Sequence, residues 1–193
     1  NTIKERGRFK MNNNLQNILA QLNYFVDQKY IKLGEPTLDD IVKSAEARLN
    51  CRFSNQMRSL FRLHNGVYLI DSYIPGIDLG GPSYFTEKEI LDANPRILLD
   101  KVPDIVSSNL LNRTFRWWPS NWLEIGQDGF GCYYVADIDL LNSVGESKIF
   151  WVDHESMGGD KPERELIAED YFGFIDWVIK QIIARYDHNG NLK

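Results

Sequence analysis

The chain has 193 residues, 43% of them hydrophobic, 25% charged and 12% aromatic, which are the proportions of a globular domain and exclude general disorder. At this length folding buries roughly 70% of the surface that the unfolded chain exposes, so neither a disulfide framework nor a structural metal is needed to hold a core. The formal charge of −5 is unevenly spread: residues 1–119 carry 16 basic and 13 acidic side chains, whereas residues 120–193 carry 6 and 14.

These numbers exclude several function classes. Cys51 and Cys132 are the two cysteines and form no CxxC pair, so they read as reduced thiols of a cytoplasmic protein. No apolar run approaches the ~20 residues of a membrane helix, and no signal-peptide pattern opens the sequence. The acidic second half argues against binding a phosphate backbone directly and favours a basic protein partner.

In chain order, Leu15, Ile18, Leu19, Leu22, Phe25 and Val26 recur at helical spacing and predict a helix over residues 14–30, ended by Gly34-Glu35-Pro36. A second helix is expected to start at Thr37 as N-cap, with Asp39 and Asp40 complementing its N-terminus and Leu38, Ile41, Val42, Ala45 and Leu49 as its buried stripe. A third follows Ser54, carries Met57, Leu60, Phe61 and His64, and stops at Asn65-Gly66, where left-handed backbone is tolerated. Val67 to Ile74 reads as extended. Thr86-Glu87-Lys88-Glu89 reads as a capping box of a short helix ended by Asn94-Pro95, and a further helix is placed at 104–111.

From Trp122 the period changes. Trp122 to Ile125 and Cys132 to Ala136 read as strands joined at Gln127-Asp128-Gly129, because Asp-Gly between apolar runs is a hairpin signal. A turn near 143–146, a strand from Lys148 to Val152 and a polar loop from His154 to Glu163 follow. A closing helix over 169–185 has Phe172, Ile175, Val178, Ile179, Ile182 and Tyr186 as its apolar face. The fold class is therefore α+β, a mostly antiparallel sheet packed with N-terminal helices and a closing C-terminal helix. Residues 1–36 read as an N-terminal extension with one helix packing on the domain formed by 37–193.

Five segments in this order resemble the SUKH superfamily, which includes the Smi–Knr cell-wall assembly regulators and many bacterial immunity proteins. They are Ile41 to Phe53 with Glu46 and Leu49; Phe53 to Phe61 closing on His64-Asn65-Gly66; Trp122 to Gly131 with Gly126, Asp128 and Gly129; Ser147 to Glu155 ending in Asp153-His154-Glu155; and Ala168 to Trp177. Phe53-Ser54 stands where the family has Leu-Pro, and Glu169-Asp170 where it has a serine pair. The resemblance implies a non-enzymatic protein-binding domain. It is either an immunity protein that neutralises a cognate toxin, such as a basic nuclease domain, by stoichiometric binding, or a regulatory scaffold that binds cellular signalling proteins. It also implies structural roles for Glu46, Asn65, Gly66, Trp122, Gly126, Asp128, Gly129, Gly131, Asp153 and His154.

The remaining chemistry points the same way. Gly126, Gly129 and Gly131 lead into a strand and lack the Gly-Lys-Ser/Thr of a phosphate loop, so they read as a hairpin turn. Asp153, His154 and Glu155 are potential metal ligands, but adjacent residues of an extended chain point oppositely, and no paired-His spacing supports zinc. Cys51 or Cys132 beside His64, His154 or His188 would make a nucleophile pair, yet no nucleophile motif surrounds either cysteine. No catalytic residue, metal or cofactor is expected. For the partner surface the sequence offers Trp117 and Trp118 as an apolar centre, with Glu163, Glu165 and Asp170 as acidic surroundings, and it assigns Trp122 to the core.

Overall fold

Leu15, Ile18, Leu22 and Phe25 line the buried side of the first helix, α1 (Asn13–Asp27), in the computed structural model of the chain. The structure describes residues 13–64, 66–69, 78–79, 119, 121–128, 130–156 and 162–185. The helices expected near residues 86–94 and 104–111 lie outside these residues. After α1 come β1 (Ile31–Leu33), α2 (Asp39–Leu49), α3 (Asn55–Phe61), β2 (Val67–Leu69) and β3 (Asp78–Leu79). The second half holds β4 (Trp122–Gln127), β5 (Tyr133–Leu141), β6 (Ser147–Val152), a 3₁₀ turn at His154–Ser156, β7 (Arg164–Ala168) and α4 (Tyr171–Arg185).

The seven strands among the described residues form one antiparallel sheet in sequence order, β1 to β7. The alternation along β4, β5 and β6 divides its residues between two faces. Leu123, Ile125, Tyr134, Ala136 and Ile149 join α1, α2, α3 and α4 in the main core, while Trp122, Val135, Phe150 and Val152 form a smaller cluster on the other face. The α+β class read from the sequence is thus the observed one. No helix among the described residues is long and apolar enough to cross a membrane.

Two polar clamps set the helices. Glu46, buried on α2, accepts the Phe53 N–H at 2.7 Å and takes the Arg58 guanidinium through Nε and Nη2, so one carboxylate holds the α2–α3 turn and α3 together. The carboxylate of buried Glu146, in the β5–β6 turn, accepts the Gln56 N–H, and Gln56 Oε1 accepts the Phe172 N–H at 2.7 Å, which links α3 to that turn and to the start of α4. Hydrogen-bonded in this way, the two buried side chains leave no stranded acceptor.

Several sequence expectations are corrected. Leu38, not Thr37, stands at the N-cap of α2, and it makes no side-chain cap. The Thr37 N–H instead donates to the Phe61 carbonyl, and the Thr37 hydroxyl is buried with no hydrogen-bond partner among the described residues. Ser54 does cap α3, its Oγ accepting the Met57 N–H at 3.3 Å. β1 and β7, absent from the sequence reading, are short edge strands whose apolar content is too small to show a period. β4 runs on to Gln127, past the expected end at Ile125, and pairs there with Tyr133. α4 begins at Tyr171, two residues after the expected start, because Asp170 caps it: Asp170 Oδ1 accepts the Gly173 N–H at 2.8 Å.

Gly66 and Gly131 sit at φ +90° and +96°, where a Cβ is strained. Gly66→Val and Gly131→Val should each lower stability by about 1–2 kcal/mol, read as a shifted urea midpoint. An unchanged midpoint would show that these turns are not held in positive φ. Thr37→Val should move the midpoint the other way, by about 1 kcal/mol, because it removes an unsatisfied buried hydroxyl at nearly constant volume.

Candidate functional site

The chemistry-bearing residues of the second half meet at one end of the sheet, where the β4–β5 loop lies beside the chain leaving β6. Asp128 organises the loop. Its Oδ1 accepts the N–H groups of Phe130 at 2.8 Å and Cys132 at 3.2 Å, its Oδ2 accepts the Trp151 indole N–H at 3.1 Å, and its own N–H donates to the Cys132 carbonyl. The loop this produces leaves the Phe130 ring 68% exposed. Gly131 comes next to His154: a Cβ there would lie 3.5 Å from Nδ1, ordinary contact, so the positive φ rather than crowding calls for glycine.

Asp153 organises the other segment. Its Oδ1 accepts the Glu155 N–H at 2.9 Å, and its carbonyl accepts the Ser156 N–H and hydroxyl. Ser156 Oγ in turn accepts the Glu163 N–H at 2.8 Å, while the Asp153 N–H donates to the Glu163 carbonyl. The chain therefore leaves β6 into a tight 3₁₀ turn instead of continuing extended. This overturns the sequence argument that Asp153 and His154 must point apart. Cys132 Sγ lies 3.2 Å from His154 Nδ1 and 3.8 Å from Asp153 Oδ1, and those last two atoms are 3.8 Å apart.

A cysteine, a histidine and an aspartate in one place invite comparison with a nucleophile triad. Such a triad splits the imidazole, one nitrogen taking the thiol proton and the other held by the carboxylate. Here both Cys132 and Asp153 approach the same nitrogen, Nδ1. Burial pushes the Cys132 thiol above its ordinary pKa; a hydrogen bond from the His154 backbone opposes it, and the charges of Asp128 and Asp153 add to the rise. A protonated thiol is a poor nucleophile. The three donors can hold a proton network or a metal ion.

The structure separates the acidic residues singled out from sequence. Glu163 and Glu165 are exposed at this end, joined by exposed Glu155 of the 3₁₀ turn. Asp170 lies beyond the far end of β7, roughly 17 Å along a five-residue strand, and is engaged in capping α4. Trp117, Trp118, Asn65 and Gly129 lie outside the described residues. Trp122 is buried on the second face, where the Arg164 guanidinium stacks over Phe150 at 4.4 Å and Trp122 at 5.9 Å while bonding buried Asp137 at 3.0 Å. Gly126 follows the irregularity in β4 that re-registers the strand on β5. Sequence reasoning missed Phe130 as a surface residue, and it named Cys132 beside His154 only as one of several pairs that it set aside. The signal for Phe130 was an aromatic between two glycines in a turn, which has no core face to reach; the Cys132–His154 approach left no local signal.

The model of the SMI1 / KNR4 family (SUKH-1) matches residues 36–177. No curated protein matches the chain.

The raised thiol gives a pH dependence with a definite sign. The Cys132 pKa is higher folded than unfolded, so the stability it contributes is complete below the ordinary thiol value and is lost as pH rises through the raised one. Tyr171, fully buried, is raised in the same sense by desolvation. The urea midpoint should therefore fall in the alkaline range above about pH 8.5, and Cys132→Ala should remove the earlier part of that fall. Iodoacetamide should alkylate Cys132 far more slowly in the native protein than in the urea-unfolded one, measured by peptide mass; equal rates would contradict the buried, protonated thiol.

Proposed function

Because this chain belongs to the SMI1 / KNR4 family (SUKH-1), whose domains generally bind other proteins, we propose that it is a non-enzymatic binding domain, and specifically an immunity-type protein that neutralises a basic toxin domain by covering its working surface. One observation carries this reading. Glu155, Glu163 and Glu165 are exposed at the sheet end that also displays the Phe130 ring, and among the described residues no cation pairs with any of the three. Three cations of this half are engaged elsewhere, Lys148 with Glu169, Arg164 with Asp137 and Lys180 with Asp176.

Exposed carboxylates at the same sheet end as an exposed aromatic have the composition of a protein interface. The field steers a basic partner and sets the rate of encounter, and the desolvated aromatic supplies residence time. Phe130 thereby takes the central place that the sequence reading gave to Trp117 and Trp118. The mechanism is occlusion within an interface of roughly 1,200–2,000 Å², with no bond made or broken. The Cys132 geometry, with thiol and carboxylate on one imidazole nitrogen, supports a role without nucleophilic chemistry.

The test is capture of the partner from the source organism, then binding kinetics at low and high salt. Replacing Glu155, Glu163 and Glu165 by Gln should slow association about tenfold or more at low salt and flatten its salt dependence, leaving dissociation nearly unchanged. Phe130→Ala should act mainly on dissociation, costing about 2 kcal/mol. An on-rate indifferent to salt, or a partner footprint on α1 and α2, would sink the interface. A captured cellular signalling protein instead of a toxin would replace the immunity role by that of a regulatory scaffold.

A further inference from the structure

We propose that Cys132, Asp153 and His154 form a binding site for a borderline-soft divalent transition metal of the zinc type, three protein ligands holding the ion at the end of the sheet. This revises the expectation from sequence that the protein takes no metal, and it stands apart from the partner-binding reading.

The geometry carries the proposal. The three donors, a sulfur, a carboxylate oxygen and an imidazole nitrogen, lie within 4.8 Å of one another. Their separations of 3.2, 3.8 and 3.8 Å define a triangle. A point equidistant from its corners lies about 2.1 Å from each, against metal–ligand distances of about 2.0–2.3 Å for zinc with these donor types. An ion slightly above the plane of the donors would meet all three with shifts of a few tenths of an ångström.

The ligands arrive pre-positioned. Cys132 comes from the β4–β5 loop, where the Asp128 carboxylate fixes its backbone through the Cys132 N–H. Asp153 and His154 come from the 3₁₀ turn, where the Glu155 N–H steadies Asp153 Oδ1. That oxygen retains a lone pair for an ion, because a carboxylate oxygen accepts in two directions. Asp128 holds Phe130, Cys132 and Trp151 in place and stands outside the group of three converging donors, an outer support rather than a ligand. Cys132 closes the inner side of the site, whereas the His154 and Asp153 side chains are 44% and 27% exposed. Solvent therefore reaches the ion and supplies the fourth ligand, the arrangement of an open rather than a closed zinc site.

The donor set also selects among ions. A thiolate and an imidazole favour zinc and its chemical relatives over calcium and magnesium, which need oxygen cages. Binding exchanges the thiol proton for the ion, and the displaced proton goes to solvent.

Cobalt(II) added to the purified, metal-free full chain is the probe, because a thiolate ligand produces a near-ultraviolet charge-transfer band that oxygen and nitrogen ligands do not. The expected result is a band saturating at one ion per chain, displaced by zinc and untouched by magnesium. Cys132→Ser should abolish the band and Cys51→Ser should leave it intact. His154→Gln should weaken zinc binding by more than about 100-fold, beyond the 10–100-fold typical of losing an outer-shell partner. Circular dichroism of the metal-free variants checks that they fold. Should Cys132→Ser fail to fold, His154→Gln at the surface carries the test, and an unchanged zinc affinity there overturns the proposal. No cobalt band with the native chain, or a band lost with Cys51 rather than Cys132, overturns it equally.

Discussion

Phe174, Ile175 and Ile179 on α4 are fully buried, and the surfaces that bury them belong to α1, α3 and the strands β6 and β7. Tyr134 of β5 adds its ring 5.2 Å from Phe174 and 5.7 Å from Trp177, and Phe61 of α3 meets Tyr171. The apolar face of α4 is thus the surface against which both the helical half and the strand half are assembled. Each large side chain that it buries contributes on the order of 1.5–3 kcal/mol to the apolar stabilisation that joins the two halves. Its position is set at the N-terminus, where Asp170 caps it and Gln56 of α3 accepts the Phe172 N–H.

Buried carboxylates supply the orientation that apolar packing lacks, since packing alone is non-directional. Glu46 holds α2 to α3, and Glu146 holds the β5–β6 turn to α3. Asp137 accepts from Asn121, Asp139, Leu140 and Arg164 where β5 departs from regular pairing with β6. Asp128 and Asp153 do the same for the two segments at the sheet end. Much of the negative charge of the second half is therefore spent internally. The imbalance of 14 acidic against 6 basic residues overstates the field outside the protein. Among the described residues, Glu155, Glu163 and Glu165 lie exposed at one sheet end without a cation pair, and such a local excess, not the total, bears on which partner charge is attracted.

The sheet end combines a rigid frame with an open surface. Phe130 is held out in water by the hydrogen bond from its N–H to Asp128 Oδ1, although an exposed aromatic ring gains nothing for folding. The same carboxylate fixes the Cys132 backbone and the Trp151 indole, so the aromatic, the thiol and the sheet end are coupled through one residue. A domain that binds another protein requires such a frame, because ordering a floppy loop on association would consume part of the affinity.

The amino-acid sequence by itself determined the helices and the central strands, because their signals are local. The 3.6 period of Leu15 to Phe25 and of Phe172 to Ile182, the Ser54 cap, the glycine at 66 and the alternation in β4 and β5 each rest on residues within a turn or two of one another. It also carried the family, since the matching segments are themselves contiguous stretches. Only the tertiary structure decided the rest. β1 and β7 exist because neighbouring strands offer them partners, and three to five residues cannot announce that in advance. Thr37 has the chemistry of a cap but is drawn inward by its backbone bond to Phe61. Asp153 and His154 were expected to diverge, as neighbours on a strand do, and they converge because the chain turns at the very residue where β6 ends. Cys132 stands 22 positions from His154 in sequence and 3.2 Å away in space. That proximity comes from pairing β5 with β6, which puts Tyr133 opposite Val152, and register between strands is a property of the assembled sheet rather than of either segment.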